Sequence, residues 1–449
     1  MIVKVAVAFS FFSFISQKIP IKKLKPSTEI NQLVDHLFRH ESGKLVAVLT
    51  RIFGAENIDL VEDVVQDSLV EAIDQWKYSG IPDNPSAWLF RVSKNKALNI
   101  INREKYKRQY SQHVSELLKS DWAIEGELNH LFSEAEIQDD QLRMIFTCCH
   151  PSISTDSQIA LALKTLCGFS IPEIAKAFLT TDENIHKRLV RARQKIREDK
   201  IPFEVPHGMD LENRLKAVLE TIYLLFNEGY SASSGPDIIR FELCEEAIRL
   251  THFLETDKII KQKGNVYALL SLMYLNASRF TARQDSDGTL LTMAEQNRSL
   301  WDKQMQRVGL SYLERSRENN DLSIYHILAT ISAHYCVAPD YQSTDWQSIL
   351  SLYDSLLQLD SSPLVLLNRA IALSKVNGPE TALAELELIK GNPTLSTYHL
   401  FYSTQAEFLI QANQFEKAIH SLQRALDLAP LKAERDLLER KMAFCKKRI

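Results

Sequence analysis

The sequence predicts an all-α protein, and three observations carry that expectation. Glycine and proline are scarce in a chain of 449 residues, 13 and 14 in all, so breaks between elements are few. From about Ser27 almost to the end, apolar residues recur three and four apart, the period of a helix with one buried face. No stretch holds the alternation of β-branched residues that a half-buried strand needs. The expected architecture is two small helical domains, the second a helix-turn-helix, followed by a long extension of paired helices. The length allows two to four domains. With 45% hydrophobic and 24% charged residues, the chain can bury substantial cores and is not globally disordered. A net charge of −4 excludes a general polycation, so any affinity for nucleic acid must come from local patches.

The first sixteen residues, MIVKVAVAFSFFSFIS, are apolar but short for a bilayer span, and they lack the cleavage features of a secretory signal. Residues 1–24 are therefore expected to be an extension outside the fold, not an export signal. One amphipathic helix is expected over 27–53, with Ile30, Leu33, Val34, Leu37 and Phe38 on one side. The next, NIDLVEDVVQDSLVEAIDQW (57–76), has a stripe of Leu60, Val64, Val65, Leu69, Ala72 and Ile73. Glu62, Asp63, Gln66, Asp67, Glu71 and Asp74 cover its other faces. The plain alternative is a solvated face, but the single sign of charge suggests a basic protein partner.

In PDNPSAWLFRVSKNKALNIINREKYKR (82–108) Asn84 is placed to cap a helix that Pro85 opens. Trp88, Leu89, Val92, Leu98 and Ile101 are expected on its buried side. Arg91, Lys94, Lys96, Arg103, Lys105, Lys107 and Arg108 face one anion, Glu104, with Asn95, Asn99 and Asn102 interleaved. Cations beside amides suit phosphate contact plus base contact. Residues 109–135 are polar, carry Glu116, Asp121, Glu125 and Glu127, and read as an acidic linker. From Asp139 two helices split near Pro151 are expected. Three adjacent residues, Cys148-Cys149-His150, cannot converge on one tetrahedral ion from a helix, so no metal is expected. The six cysteines lack paired spacing and suit reduced thiols in a cytoplasmic protein.

Cys167–Lys200, CGFSIPEIAKAFLTTDENIHKRLVRARQKIREDK, carries the strongest functional pattern. Ser170 and Glu173 form a capping box ahead of Ile171, Ile174, Ala175 and Phe178. Leu179-Thr180-Thr181 break the helix, and Asp182 is the expected N-cap of the next. That second helix places Ile185, Leu189, Ala192 and Ile196 on one face and Lys187, Arg188, Arg191, Arg193, Lys195 and Arg197 on the others. A short helix, a short turn and a basic amphipathic helix suit a helix-turn-helix whose second helix enters the major groove. The competing reading is a surface helical hairpin with a solvated positive face.

Asn227–Gly235, NEGYSASSG, is expected to be a turn-rich break. Near the end, Ala370, Leu373, Ala382 and Leu386 are repeated 36 residues later as Ala406, Leu409, Ala418 and Leu422. With Pro430 after Ala425, the spacing is close to the period of about 34 of tetratricopeptide repeats. An α-solenoid with a protein-binding surface is expected; the alternative is an array that only packs on the DNA-binding half. No G-x-x-x-x-G-K, H-E-x-x-H or G-x-S-x-G occurs, and neither an enzyme nor a cofactor is expected.

Three segments in this order resemble the extracytoplasmic-function group of bacterial sigma factors of the sigma-70 family. VEDVVQDSLVEAIDQW (61–76) is similar to their core-polymerase-binding helix, NPSAWLFRVSKNKALNIINREKYKR (84–108) to their minus-10 reader, and 166–198 to their minus-35 reader. CCHPSIS, IYLLFNEGYSASSG (222–235), LCEEAIRL (243–250), 278–302 and 344–357 are similar to a subgroup with a tetratricopeptide-like extension. The subgroup's arginine-bearing DG loop corresponds to Asp285–Gly288, where Thr289 follows. The resemblance implies region 2 over 25–108, region 4 over 136–202, a helical extension over 203–305 and repeats over 306–449. It implies core RNA polymerase and promoter DNA as partners, with a further protein on the repeats and no stable membrane association. Glu62, Asp63, Gln66, Asp67 and Glu71 would meet the core polymerase. Lys94, Asn95 and Asn99 would face minus-10 bases and Arg91, Lys96 and Arg103 phosphates. Glu183, Asn184, Lys187, Arg188 and Arg191 would enter the minus-35 groove, with Thr181 and Arg193 on phosphate. The rival readings are a helix-turn-helix regulator acting without core polymerase and a tetratricopeptide-type scaffold.

Overall fold

The computed structural model describes residues 41–105, 133–178, 180–231, 239–285, 289–318 and 322–449. The apolar segment 1–24, the start of the helix expected over 27–53 and nearly all of the acidic linker lie outside these. Among the described residues the regular elements are helices, apart from a single antiparallel bridge between Gln284 and Leu290. The fold is all-α. The chain divides into two compact units, one of residues up to Gln141 with Thr165–Phe169, the other of Leu142–Lys164 with Ser170–Ile449.

The first unit contains α1 (41–53), α2 (Ile58–Ser79), α3 (Pro85–Lys105) and the first turns of α4 (Glu134–Cys148). Helix α2 buries Ile58, Val61, Val64, Val65, Leu69, Ala72 and Trp76, each large aliphatic contributing about 1.5–3 kcal/mol. The Ala87 N–H donates to Asn84 Oδ1 at 3.0 Å, so Asn84 does cap α3. The buried stripe of α3 is Leu89, Ser93 and Ala97, one step round from the expected one; Trp88, Val92 and Leu98 are half-buried. The Trp88 ring meets Trp76 of α2 edge-on at 5.3 Å. Arg51 of α1 pairs with Glu136 and, at 3.5 Å, with the fully buried Asp140, fastening the start of α4.

The second unit begins with the rest of α4, followed by α5 (Thr155–Thr165), α6 (Ile171–Ala177) and α7 (Asp182–Glu198). The extension then starts at α8 (Met209–Tyr230). Arg214 of α8 donates from Nη2 to the Phe146 carbonyl at 2.6 Å and lies over the Phe146 ring. The extension is thereby tied to α4. Helix α8 continues to Tyr230, through the expected break at 227–230. The reason is Gly229, where a Cβ would come within 2.7 Å of Cys244 Sγ. That glycine serves close packing against α9 (Phe241–Thr256), not a turn. Gly309 plays the same part where α11 (Lys303–Ser316) crosses α10 (Gly264–Ala277) at Leu275.

A polar network ties α9, α10 and α11 together. The Tyr312 hydroxyl donates to Glu255 Oε2 at 2.9 Å and Arg315 Nη1 to Oε1 at 2.9 Å. His252 lies 2.8 Å from Glu255 and 2.9 Å from the Tyr274 hydroxyl. Burial alone would raise the Glu255 carboxyl, but His252, Tyr312 and Arg315 outweigh it and hold it down to about 2 from the ordinary 4.5. A carboxylate depressed in the folded state stabilises above its unfolded pKa, and that contribution is lost as pH falls through the folded one. The melting temperature of wild type should therefore exceed that of Glu255→Gln at pH 6, and the gap should close between pH 4.5 and 2. A gap independent of pH would show that the carboxylate charge is not what matters.

Beyond α12 (Ile324–Val337) and α13 (Trp346–Leu359) the chain forms successive helical hairpins. Helices α14 (Pro363–Asn377) and α15 (Pro379–Ile389) make one. After the short α16 (Pro393–Ser396), α17 (His399–Gln411) and α18 (Phe415–Leu428) make the next, on which α19 (Lys432–Lys446) packs. The 36-residue repetition is structural. Ala370, Ala382 and Leu386 are fully buried, as are Ala406, Ala418 and Leu422, and Leu373 matches Leu409.

Candidate nucleic-acid interface

Ser170 caps α6 by the expected box. The Glu173 carboxylate accepts from the Ser170 N–H at 2.8 Å, and Ser170 Oγ accepts from the Glu173 N–H at 3.4 Å. The residue capping α7 is Thr181, not Asp182: its Oγ1 accepts from the Asn184 N–H at 3.2 Å. A β-region residue with a hydroxyl fits that position, and Asp182 becomes the first helical residue, where its charge suits the helix dipole. Asn184 also donates from Nδ2 to Thr180 Oγ1 at 3.0 Å. The first turn of α7 is thus capped by the side chains of Thr180 and Thr181.

Ile185, Leu189, Ala192 and Ile196 are all buried, so the orientation of α7 is fixed by its apolar stripe. Thr181, Glu183, Asn184, Lys187 and Arg191 are exposed, while Arg188 and Arg193 are half-buried. Lys187 pairs with Glu183 at 2.7 Å one turn earlier. Arg188 pairs with Asp156 of α5 at 3.0 Å. Sequence reasoning did not find Asp156: nothing local links it to a residue 32 positions on. These are surface pairs, each worth about 0–1 kcal/mol, and a phosphate or base edge can replace the carboxylate in either.

Helix α3 offers a second basic face. Arg91, Asn95 and Asn99 are exposed at i, i+4 and i+8, on one side of the helix; Lys94 and Lys96 are half-buried. Lys96 is engaged with Glu71 of α2 at 2.9 Å. Arg103 is on the same helix, and its side chain lies outside the described part. On α2, Asp63, Gln66 and Asp67 are exposed and Glu71 is half-buried. Glu62 sits apart from them. It is buried, because i+4 from Ile58 falls within the packed stripe. The exposed acidic face is therefore Asp63, Asp67 and Asp74 with Glu71 at its edge.

The Cys148-Cys149-His150 run lies at the end of α4, with both thiols buried. Burial pushes the Cys149 thiol up to about 12, which keeps it protonated and poorly nucleophilic. No helix among the described residues is long and apolar enough to cross a membrane.

Comparisons with known proteins bear on these surfaces. Residues 37–106 match Sigma-70 region 2, and 143–196 match Sigma-70, region 4. Residues 214–317 match a Family of unknown function (DUF6596). An uncharacterized protein of Rhizobium meliloti (strain 1021) is 35% identical over 384 residues, spanning 86% of this chain and 89% of that one. No solved structure matches the chain. The region 2 match contains the acidic face of α2 and the basic face of α3, and the region 4 match contains α7. With Sigma-70 region 2 and Sigma-70, region 4 both present and in order, this chain belongs to the sigma-70 family.

Proposed function

We propose that the chain is a sigma factor of the extracytoplasmic-function group that works with core RNA polymerase in the cytoplasm to start transcription at its own promoters. The observation that carries this reading is α7: a capped helix with a buried apolar stripe and exposed Glu183, Asn184, Lys187 and Arg191. Those side chains suit the major groove of a minus-35 element, Arg188 reaching a base edge when it leaves Asp156. On α3, Arg91, Asn95 and Asn99 suit phosphate and base contact at the minus-10 element, with Lys94, Lys96 and Arg103 beside them. The acids of α2 suit a basic surface of the core enzyme. Glu62 contributes from beneath that face rather than by direct contact.

The helical hairpins after α12 support a tetratricopeptide-like extension that modulates activity and offers a surface to a protein partner. Run-off transcription with purified core polymerase on mapped promoters is the test. The full chain should direct initiation, and truncation after Pro206 should lower the yield. Binding of promoter DNA without any initiation would favour a polymerase-independent regulator instead. Failure to bind either DNA or core would leave only a scaffold. Unchanged yield after truncation would remove the modulating role.

A further inference from the structure

The segment joining α10 to α11 runs for 25 residues, Ser278–Asp302, far beyond an ordinary helix connection. It contributes three arginines, with Arg279 in electrostatic range of the other two. Arg279 and Arg298 both lie over the Trp301 ring, at 5.2 and 4.8 Å. Arg283 lies over the Tyr230 ring at 4.0 Å. Arg279 and Arg283 are each only 8% exposed. The charge of Arg279 is felt at both other guanidiniums, and burial together with that repulsion lowers Arg283 and Arg298 from the ordinary arginine value.

The partners of these groups are neutral. Arg279 donates to Gln296 Oε1 at 3.2 and 3.3 Å. Arg283 donates to the Tyr230 carbonyl. Arg298 donates to the Tyr335 and Ala338 carbonyls, both at 2.6 Å, and to Thr344 Oγ1 at 3.3 Å. No carboxylate lies within ion-pair reach of any of the three among the described residues. Nearby acids have other contacts: Glu295 pairs with Arg440, Asp302 caps α11, and Asp340 bonds Ser343, its charge reaching Arg298 only through space. A second observation has the same sign. The Trp301 Nε1–H is buried and has no acceptor. Among the described residues, no hydrogen bond engages Arg279 Nη1, Arg283 Nε and Nη2, or Arg298 Nε. Buried charge is ordinarily paired, so this cluster has donors and positive charge in excess and lacks an acceptor with negative charge.

We propose that Arg279 and Arg298, stacked on Trp301, and Arg283, stacked on Tyr230, bind the phosphate group of a small phosphorylated ligand. Three guanidiniums suit a dianionic phosphate better than a singly charged carboxylate, and the planar fork of arginine matches phosphate oxygens. Arg283 and Arg298 also hold the carbonyl ends of α8 and α12, leaving Arg279 as the member to vary.

Inorganic phosphate is the probe, titrated into the full chain by calorimetry and by thermal melting, against chloride at matched ionic strength and against acetate. Phosphate should bind saturably, one per chain, and raise the melting temperature. Acetate should bind at least about tenfold more weakly, and Arg279→Gln should weaken phosphate binding by about tenfold or more, as loss of a charge-assisted fork does. A phosphate-dependent rise equal in Arg279→Gln and wild type would reveal only general salt stabilisation and overturn the site. Absence of saturable binding would do the same, and acetate binding as tight as phosphate would exclude the phosphate class. If Arg279→Gln fails to fold, Arg279→Lys keeps the charge without the fork; unchanged phosphate affinity in that variant would also overturn the assignment.

Discussion

The double variant Arg188→Ala, Arg191→Ala is expected to lose promoter-directed transcription by roughly thirtyfold or more while binding core polymerase as wild type does. Each arginine contact to a base edge is worth about 1–3 kcal/mol, and each 1.4 kcal/mol is about a factor of ten. Neither residue belongs to the stripe of Ile185, Leu189, Ala192 and Ile196 that seats α7. Folding should therefore be unaffected: Arg191 is exposed, and the Arg188–Asp156 pair is a surface contact of small value. Run-off yield and a core-binding titration on the same preparation check both halves. Weakened core binding with intact promoter use would reverse the roles given to α7 and α2.

Trp76→Ala should have the largest effect on stability. Trp76 is 2% exposed and meets Trp88 edge-on across α2 and α3. Truncating such a ring costs about 3–5 kcal/mol, a large share of the 5–15 kcal/mol that holds a typical domain. The helices displaying the acidic face and the Arg91–Asn95–Asn99 face would lose their mutual support. Core binding and minus-10 engagement should then fail together. Trp76→Phe should recover most of the stability, because the Trp76 Nε1–H has no acceptor to lose. A melt of each variant decides the point, and a Trp76→Ala protein as stable as wild type would mean that α2 and α3 hold together by other contacts.

Much of this architecture is legible in single-helix periodicity. The stripe of α7 is recovered residue for residue, as are the Ser170 box, the Asn84 cap and the paired hairpins spaced 36 apart. These features depend on neighbours within a turn or two, where chemistry and spacing decide the outcome. What periodicity cannot supply is the partner surface. Glu62 carries a charge and so resembles its exposed neighbours, yet its register with Ile58 takes it into the core. Gly229 has the composition of a turn and is a contact point between helices. The Arg51–Glu136–Asp140 cluster joins residues more than 80 positions apart. Asp182 and Thr181 are both good caps, and only the backbone angles of Thr181 choose between them. The three arginines of Ser278–Asp302 look like ordinary surface cations until their burial and the lack of nearby carboxylates are visible.

The matched burial of Ala370 with Ala406, Ala382 with Ala418 and Leu386 with Leu422 has a consequence for how this end of the molecule comes apart. Where equivalent hairpins stack, each draws its stability mainly from the neighbour on either side, and the total approaches a sum over adjacent interfaces. Opening of α17 and α18 then need not carry α14 and α15 with it. Amide hydrogens in this stretch should exchange in blocks of about one hairpin, each with its own protection, rather than at the single rate of a globally cooperative domain.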